Sequence, residues 1–256
     1  MYLKERLAAR EYLIGAGIYS NSPELLEWAV VGMDWIWWET QHTHPDWQTT
    51  VSAARAAAAL RIPLLVRSWT ADGDTIERLL DTGAEGIIVP LVDTVEQTKR
   101  LVSRCYYPPL GKRSVGSIRT ERMEADLNEW NRRIVVIPMI ETPEALENAE
   151  RIAAVNGVDG LLAGTSDLAL RLGRYTDPYS AHLRLKDELQ HILKACEKSG
   201  KAAGVITLSE EALQARIAEG YRLICAGMDV DHVEASFKRM KGVFDLALRK
   251  LPENDG

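Results

Sequence analysis

A (β/α)8 barrel is the fold this sequence predicts. Short apolar runs alternate with helix patterns eight times along the chain. Strand–helix–strand units of this kind imply parallel strands, because a crossover helix returns the chain to the same edge of the sheet. The length, 256 residues, is ordinary for such a barrel. A doubly wound sheet is the rival, but its GxGxxG fingerprint is absent. Gly15-Ala16-Gly17 falls inside the first strand, not in a turn before a helix.

Residues 12–18 form the first predicted strand. Ser22-Pro23-Glu24 opens a helix through Val31, with proline at its first turn. Residues 34–38 form the second strand, which runs into Glu39-Thr40-Gln41-His42. Asp46 caps an alanine-rich helix to about Leu60. Residues 63–66 form the third strand, with Arg67 at its end. A helix from Asp74 stops at Asp81-Thr82-Gly83. Residues 86–89 form the fourth strand and 94–105 a helix. Residues 107–131 are less regular, with a loop at 107–113 placed at the rim and a short helix around 121–130. Residues 134–140 form the fifth strand. Thr142 and Pro143 then start a helix to about Val155. Residues 160–163 form the sixth strand, and Gly164-Thr165-Ser166-Asp167 opens the next helix. A helical region at 181–198 precedes the seventh strand at 202–206. Ser209 starts a helix to Glu219, residues 221–225 form the eighth strand, and Asp231 starts a last helix to about Lys250.

The totals narrow the function. No linker divides the chain, so residues 1–256 are expected to form a single barrel domain. A net charge of −6 argues against a nucleic-acid surface. The cysteines Cys105, Cys196 and Cys225 show neither CxxC nor Cys/His spacing, which suits a reducing cytoplasm and no zinc site. The charged start, MYLKERLAAREY, is not a signal peptide, and no apolar run approaches membrane-spanning length.

Barrel chemistry sits at the C-terminal ends of the strands. There the sequence places His42 after strand two, Arg67 after three, Glu141 after five and Asp167 after six. Two carboxylates on one edge, with room for water, suit a hard divalent cation. The bland alternative is two unrelated acids, one of them an N-cap, beside a solvated histidine and a surface-paired arginine. The convergence of all four on one rim is what favours a site.

The segments MDWIWWETQH, PLLVR, LLDTGAEGIIVPLVDT, YYPPLGKR, PMIETPEAL, GVDGLLAGTSDLALRLG and GKAAG, in this order, resemble the class II pyruvate aldolases of the HpcH/HpaI family. Hydroxy-heptenedioate aldolases and 2-keto-3-deoxy sugar-acid aldolases are examples. The resemblance spans about residues 12–229 and implies a phosphoenolpyruvate/pyruvate-type barrel. It further implies a lyase that reversibly cleaves a 4-hydroxy-2-keto acid to pyruvate and an aldehyde through a metal-bound enolate. Glu141 and Asp167 would ligate Mg2+ or Mn2+. Arg67 would bind the keto oxygen and stabilise the enolate. His42 would be the base, with Asp81 as its partner. Gly164 and the backbone N–H groups near Ser166 and Asp167 would hold the substrate carboxylate. The physical chemistry agrees. Ionising a pyruvate methyl near neutral pH requires an electrophilic sink, and histidine suits the proton transfer. The Schiff-base route needs a lysine on a barrel strand, and no predicted strand has one in its interior.

Three departures from the family pattern stand out. Met139 occupies the place of a usual glutamine and is expected just beneath Glu141, where a thioether donates no hydrogen bond. Glu39-Thr40-Gln41-His42 replaces Asp-Gly-Glu-His, and Ser68 follows Arg67 where proline is common. Trp35, Trp37, Trp38 and Trp47 crowd the sequence around His42, and either pack between barrel and helices or wall an apolar or aromatic acceptor aldehyde. Arg113 either meets an anionic substrate tail or is solvated. No glycine-rich cup follows strands seven and eight, which disfavours a phosphorylated substrate. Asp81 should sit at the barrel bottom, away from His42, where the residues alone favour a solvated surface acid; the resemblance instead pairs it with the base histidine, and both statements hold together if Asp81 comes from a neighbouring barrel. A homo-oligomer, a trimer or hexamer, is therefore expected. The competing functions are an oxaloacetate decarboxylase with the same enolate site and a non-catalytic barrel that binds small keto acids.

Overall fold

A computed structural model describes residues 1–250. Eight strands close into a parallel barrel in sequence order, β1 to β8. They are β1 Leu13–Ile18, β2 Trp35–Glu39, β3 Leu64–Arg67, β4 Gly86–Val89, β5 Val135–Ile140, β6 Gly160–Ala163, β7 Ala202–Ile206 and β8 Leu223–Met228. Among the described residues twelve helices accompany them: α1 Leu3–Ala8, α2 Pro23–Ala29, α3 Trp47–Leu60, α4 Gly73–Asp81, α5 Val95–Cys105, α6 Ile118–Met123, α7 Leu127–Arg133, α8 Pro143–Ala153, α9 Thr165–Arg171, α10 Lys186–Lys198, α11 Glu210–Glu219 and α12 Asp229–Leu248. A 3-10 turn, Ala181–Arg184, precedes α10.

Helix starts follow the capping residues. Ser22, Asp46, Thr94, Thr142 and Ser209 each accept a backbone N–H from the first turn of their helix. Helix α4 starts at Gly73, one residue before the expected Asp74, and its cap Asp72 accepts from the Thr75 N–H at 3.2 Å. The eighth strand lies later than the predicted 221–225. Tyr221 is buried ahead of it and donates its hydroxyl to the Leu189 carbonyl at 2.8 Å.

Packing is in two layers. One core lies between strands and helices and includes Trp38, Val66 and Ile140. The other fills the barrel and includes Trp35, Trp37, Leu65, Ile137 and Leu162. The period of two along β2 thus sends Trp35 and Trp37 inward and Trp38 outward, as alternation predicts. Gly15 leaves room for the Trp35 indole, which any Cβ at that position would strike. The bottom of the barrel is closed by α1, a helix absent from the sequence prediction. Its Leu3 and Leu7 join the inner core. Lys4 pins it, donating to the Tyr106 hydroxyl at 2.7 Å and the Ile134 carbonyl at 3.0 Å.

Residues 107–113 follow α5 and therefore lie at this bottom end, not at the rim. Arg113 is neither solvated nor near a substrate tail. It is buried, it stacks over the Tyr107 ring at 4.6 Å, and its Nη2 donates to Asp81 Oδ1 at 2.8 Å. At the other extreme, α12 presents exposed Val233, Phe237, Met240 and Phe244. Beside its first turn an apolar groove is lined by Leu25, Trp28 and Met33. No helix among the described residues is long and apolar enough to cross a membrane.

Candidate active site

A cavity of about 310 Å³ opens at the C-terminal ends of the strands. His42, Arg67, Glu141, Gly164, Ser166 and Asp167 all line it. Residues 42 to 167 in sequence are thereby gathered at one end of the barrel, because parallel strands deliver their C-terminal ends to the same rim. Asp81 is not among them. It ends α4 at the barrel bottom, bonded to Arg113, with a partly exposed side chain.

Glu39, one of the departures from the family pattern, organises one wall. It is fully buried. Its Oε2 accepts from Arg67 Nε at 2.7 Å and from the Trp37 indole N–H at 3.1 Å. Its Oε1 accepts from the backbone N–H groups of Gln41 and His42, at 2.5 and 3.0 Å. One carboxylate therefore fixes both the arginine and the turn that carries the histidine. The signal was present in register: β2 and β3 pair Glu39 with Arg67, so opposite charges end neighbouring strands on the same face. The Arg67 guanidinium also lies over the Trp37 ring at 5.2 Å. Met139 Sδ is 3.9 Å from Arg67 Nη1. A thioether at that distance is at most a weak acceptor, so Met139 packs against the guanidinium while leaving its donors available. Of the four tryptophans near His42, only Trp37 reaches the cavity. Trp47 packs edge-to-face on Trp69 at 5.5 Å, outside it.

Glu141 ends β5 and is almost fully buried. Burial pushes its carboxyl above the usual range, and the charge of Asp167 acts in the same direction. The Leu91 N–H and the Arg67 charge oppose the shift. The Leu91 N–H donates to Glu141 Oε2 at 2.9 Å. Leu91 adopts a φ of 54°, a left-handed conformation uncommon for a side chain of this kind and found here beside the site. Gly164 closes the other side, since a Cβ there would collide with the Glu141 side chain. Asp167 lies in the first turn of α9. Among the described residues no group of three or more His, Cys, Asp and Glu side chains is arranged to hold a metal. A cation in this cavity would have two carboxylates from the chain and take its remaining oxygens from water or substrate.

Several lining residues lie outside the sequence prediction. Tyr19 follows β1, His182 lies in the 3-10 turn, and Asp231 is in the first turn of α12. Burial, and then the charge of Arg216, hold His182 below its ordinary value. Burial, with the charge of Glu39, pushes the Tyr19 phenol up to about 12, so it stays protonated. Nothing in local sequence marks these positions, because loop residues reach the rim only through the tertiary fold.

The chain is similar to known proteins over most of its length. The HpcH/HpaI aldolase/citrate lyase family matches residues 17–235. A hydroxypyruvate/pyruvate aldolase of Cupriavidus necator is 34% identical over 239 residues, 89% of this chain and 86% of that protein. A 4-hydroxy-2-oxovalerate aldolase of Rhodococcus jostii is 35% identical over 205 residues, 78% of this chain and 79% of that one. The crystal structure of an HpcH/HpaI aldolase from Desulfitobacterium hafniense superposes with a TM-score of 0.86 at 27% identity, covering 100% of both chains.

Proposed function

The chain belongs to the HpcH/HpaI aldolase/citrate lyase family, and from that premise we propose that it is a class II pyruvate aldolase. It is a carbon–carbon lyase that reversibly cleaves a 4-hydroxy-2-keto acid to pyruvate and an aldehyde. The observation that carries the reading is the convergence of His42, Arg67, Glu141 and Asp167 on one cavity. The named aldolases it resembles support the same reaction.

The donor set fits a divalent metal. Glu141 and Asp167 are the carboxylates that would hold it, and Gly164 keeps the space beside Glu141 open. An all-oxygen environment of two carboxylates and water suits Mg2+ or Mn2+ better than Zn2+. Bound there, the cation would supply a Lewis acid that draws negative charge from the keto acid. The rest falls to the chain. Glu39 occupies Arg67 Nε, which leaves the Nη groups to donate to the keto oxygen as negative charge builds there. The backbone N–H groups of Ser166 and Asp167, at the start of α9, take the substrate carboxylate. In the cleavage direction His42 removes the proton of the 4-hydroxyl while the bond between carbons 3 and 4 breaks. The electron pair is left on the carbon that becomes the pyruvate methyl, and a proton returned to that carbon completes the product. The test is exchange of the pyruvate methyl protons into deuterated water. Exchange should be metal-dependent and need no aldehyde. Bound metal without exchange would mean a barrel that binds keto acids and does no chemistry.

Asp81 enters this scheme from a neighbouring subunit. It lies far from its own cavity, and its side chain is partly exposed beyond the Arg113 bond. The uncovered apolar face of α12 and the adjacent apolar groove give a second copy something to bury. The family resemblance points to a trimer or hexamer in which Asp81 orients His42 of an adjacent barrel. Mixing inactive His42→Ala with inactive Asp81→Ala, after subunit exchange is verified, should restore part of the activity, since some sites regain both native residues. Exchanged assemblies that stay inactive would contradict the shared site.

A further inference from the structure

The cavity has two halves of different character. Arg67, Glu141 and Asp167 form one, where pyruvate is placed. The other is built from Tyr19 after β1, Leu208 after β7 and Met228 at the end of β8, with Tyr179, His182 and Asp231 around its mouth. Its charge is one-sided. Among the described residues, Arg67 is the only lysine or arginine that lines the cavity, and its Nε is committed to Glu39 at 2.7 Å. Asp231 has no ion-pair partner among the described residues. Its contacts are neutral: Oδ2 accepts from the Met228 N–H at 3.4 Å, and Oδ1 accepts from the Tyr179 hydroxyl at 3.4 Å. Its charge is felt there, for it is the first cause of the raised Tyr179 phenol. His182 does not compensate, because burial and the nearby Arg216 favour its neutral form.

We propose that the aldehyde this enzyme joins to pyruvate is uncharged, and that Asp231 excludes aldehydes bearing a carboxylate or phosphate. This rests on the aldolase reading and adds its acceptor class. In the addition direction a bond forms between the pyruvate methyl carbon and the aldehyde carbonyl carbon. The methyl proton leaves to the base, and the new alkoxide takes a proton. The aldehyde carbonyl must therefore face the pyruvate half, and its substituent must extend over Tyr19, Leu208 and Met228 toward Asp231. An anionic substituent placed there meets no lysine or arginine in the lining of that half and faces a like charge. A neutral chain packs on the apolar side chains, and a hydroxyl on it can donate to the Asp231 carboxylate.

The experiment compares matched acceptors with pyruvate as the common donor: propanal against succinic semialdehyde, and glyceraldehyde against glyceraldehyde 3-phosphate. In the wild-type enzyme kcat/KM should favour the neutral member of each pair by roughly tenfold or more. Asp231→Asn, which keeps an oxygen for the helix cap, should narrow the preference, and Asp231→Lys should narrow it further or invert it. The ratio is internal to each preparation, so a reduced active fraction does not move it. Equal use of charged and neutral acceptors by the wild type overturns the proposal. So does a wild-type preference that neither variant shifts. Deuterium exchange into pyruvate without aldehyde separates the two levels. Exchange with no acceptor preference sinks the acceptor inference alone, whereas no exchange in the metal-loaded enzyme sinks the aldolase reading beneath it.

Discussion

Glu141→Gln and Asp167→Asn should each lower pyruvate release by on the order of a thousandfold, because a Lewis acid at this point supplies several kcal/mol to the barrier. Both should also weaken Mn2+ binding measured directly by calorimetry or paramagnetic resonance. Chelation should abolish activity in the parent, and Mg2+ or Mn2+ should restore it. Full activity after exhaustive chelation would sink the metal reading. Burial first, then the Asp167 charge, holds the Glu141 carboxyl above its usual range in the folded chain. A carboxyl raised in this way contributes most to stability below its unfolded pKa, and the contribution is lost as pH rises through the folded value. Glu141→Gln removes that loss while keeping an oxygen for the Leu91 N–H. The metal-free variant should therefore melt no lower than the metal-free parent at neutral pH, with the relative advantage falling in acid. A variant that melts well below the parent at neutral pH would show that the Glu141 charge is stabilised by something other than a cation.

The parts legible in the sequence are those with local causes. The fourth, sixth and seventh strands match β4, β6 and β7 to the residue. Each is a short apolar run bounded by glycine, proline or a helix cap, so nothing distant is needed to set its ends. His42, Arg67, Glu141 and Asp167 were legible because a barrel puts every strand end at the same rim. The rest depends on contacts between distant segments. Helix α1 offers only Leu3 and Leu7 to the core, and it is held by docking into the open end of the barrel. The 107–113 loop has the composition of a rim loop. Its place between a helix and the next strand nevertheless fixes it at the bottom, where Arg113 becomes a buried partner of Asp81. Asp231 and His182 reach the cavity from α12 and the turn before α10, and no periodicity encodes that approach.

Glu39 and Arg67 carry the last expectation. Arg67→Ala should lower kcat with much less effect on KM, since the guanidinium acts mainly on charge that appears in the transition state. Loss of such a donor is worth about 3–4 kcal/mol. Arg67→Lys should rescue poorly, because an ammonium cannot bond Glu39 through one nitrogen and the substrate through two others in a planar fork. Glu39→Ala should be worse for the fold than Arg67→Ala is. It strands a buried arginine and also leaves the Trp37 indole and the Gln41 and His42 backbone N–H groups without their acceptor. Breaking a buried pair from one side costs about 3–5 kcal/mol. Glu39→Gln preserves the shape and one oxygen acceptor but removes the charge. It should retain more of the fold than Glu39→Ala while still losing kcat, because Arg67 is then free to rotate away from the keto oxygen. The measurements are melting temperature and the separate kinetic constants for each variant. An Arg67→Ala enzyme with parental kcat and only a raised KM would contradict the role given to the guanidinium. A Glu39→Gln enzyme with parental kcat would show that Trp37 and Met139 alone hold Arg67 in place.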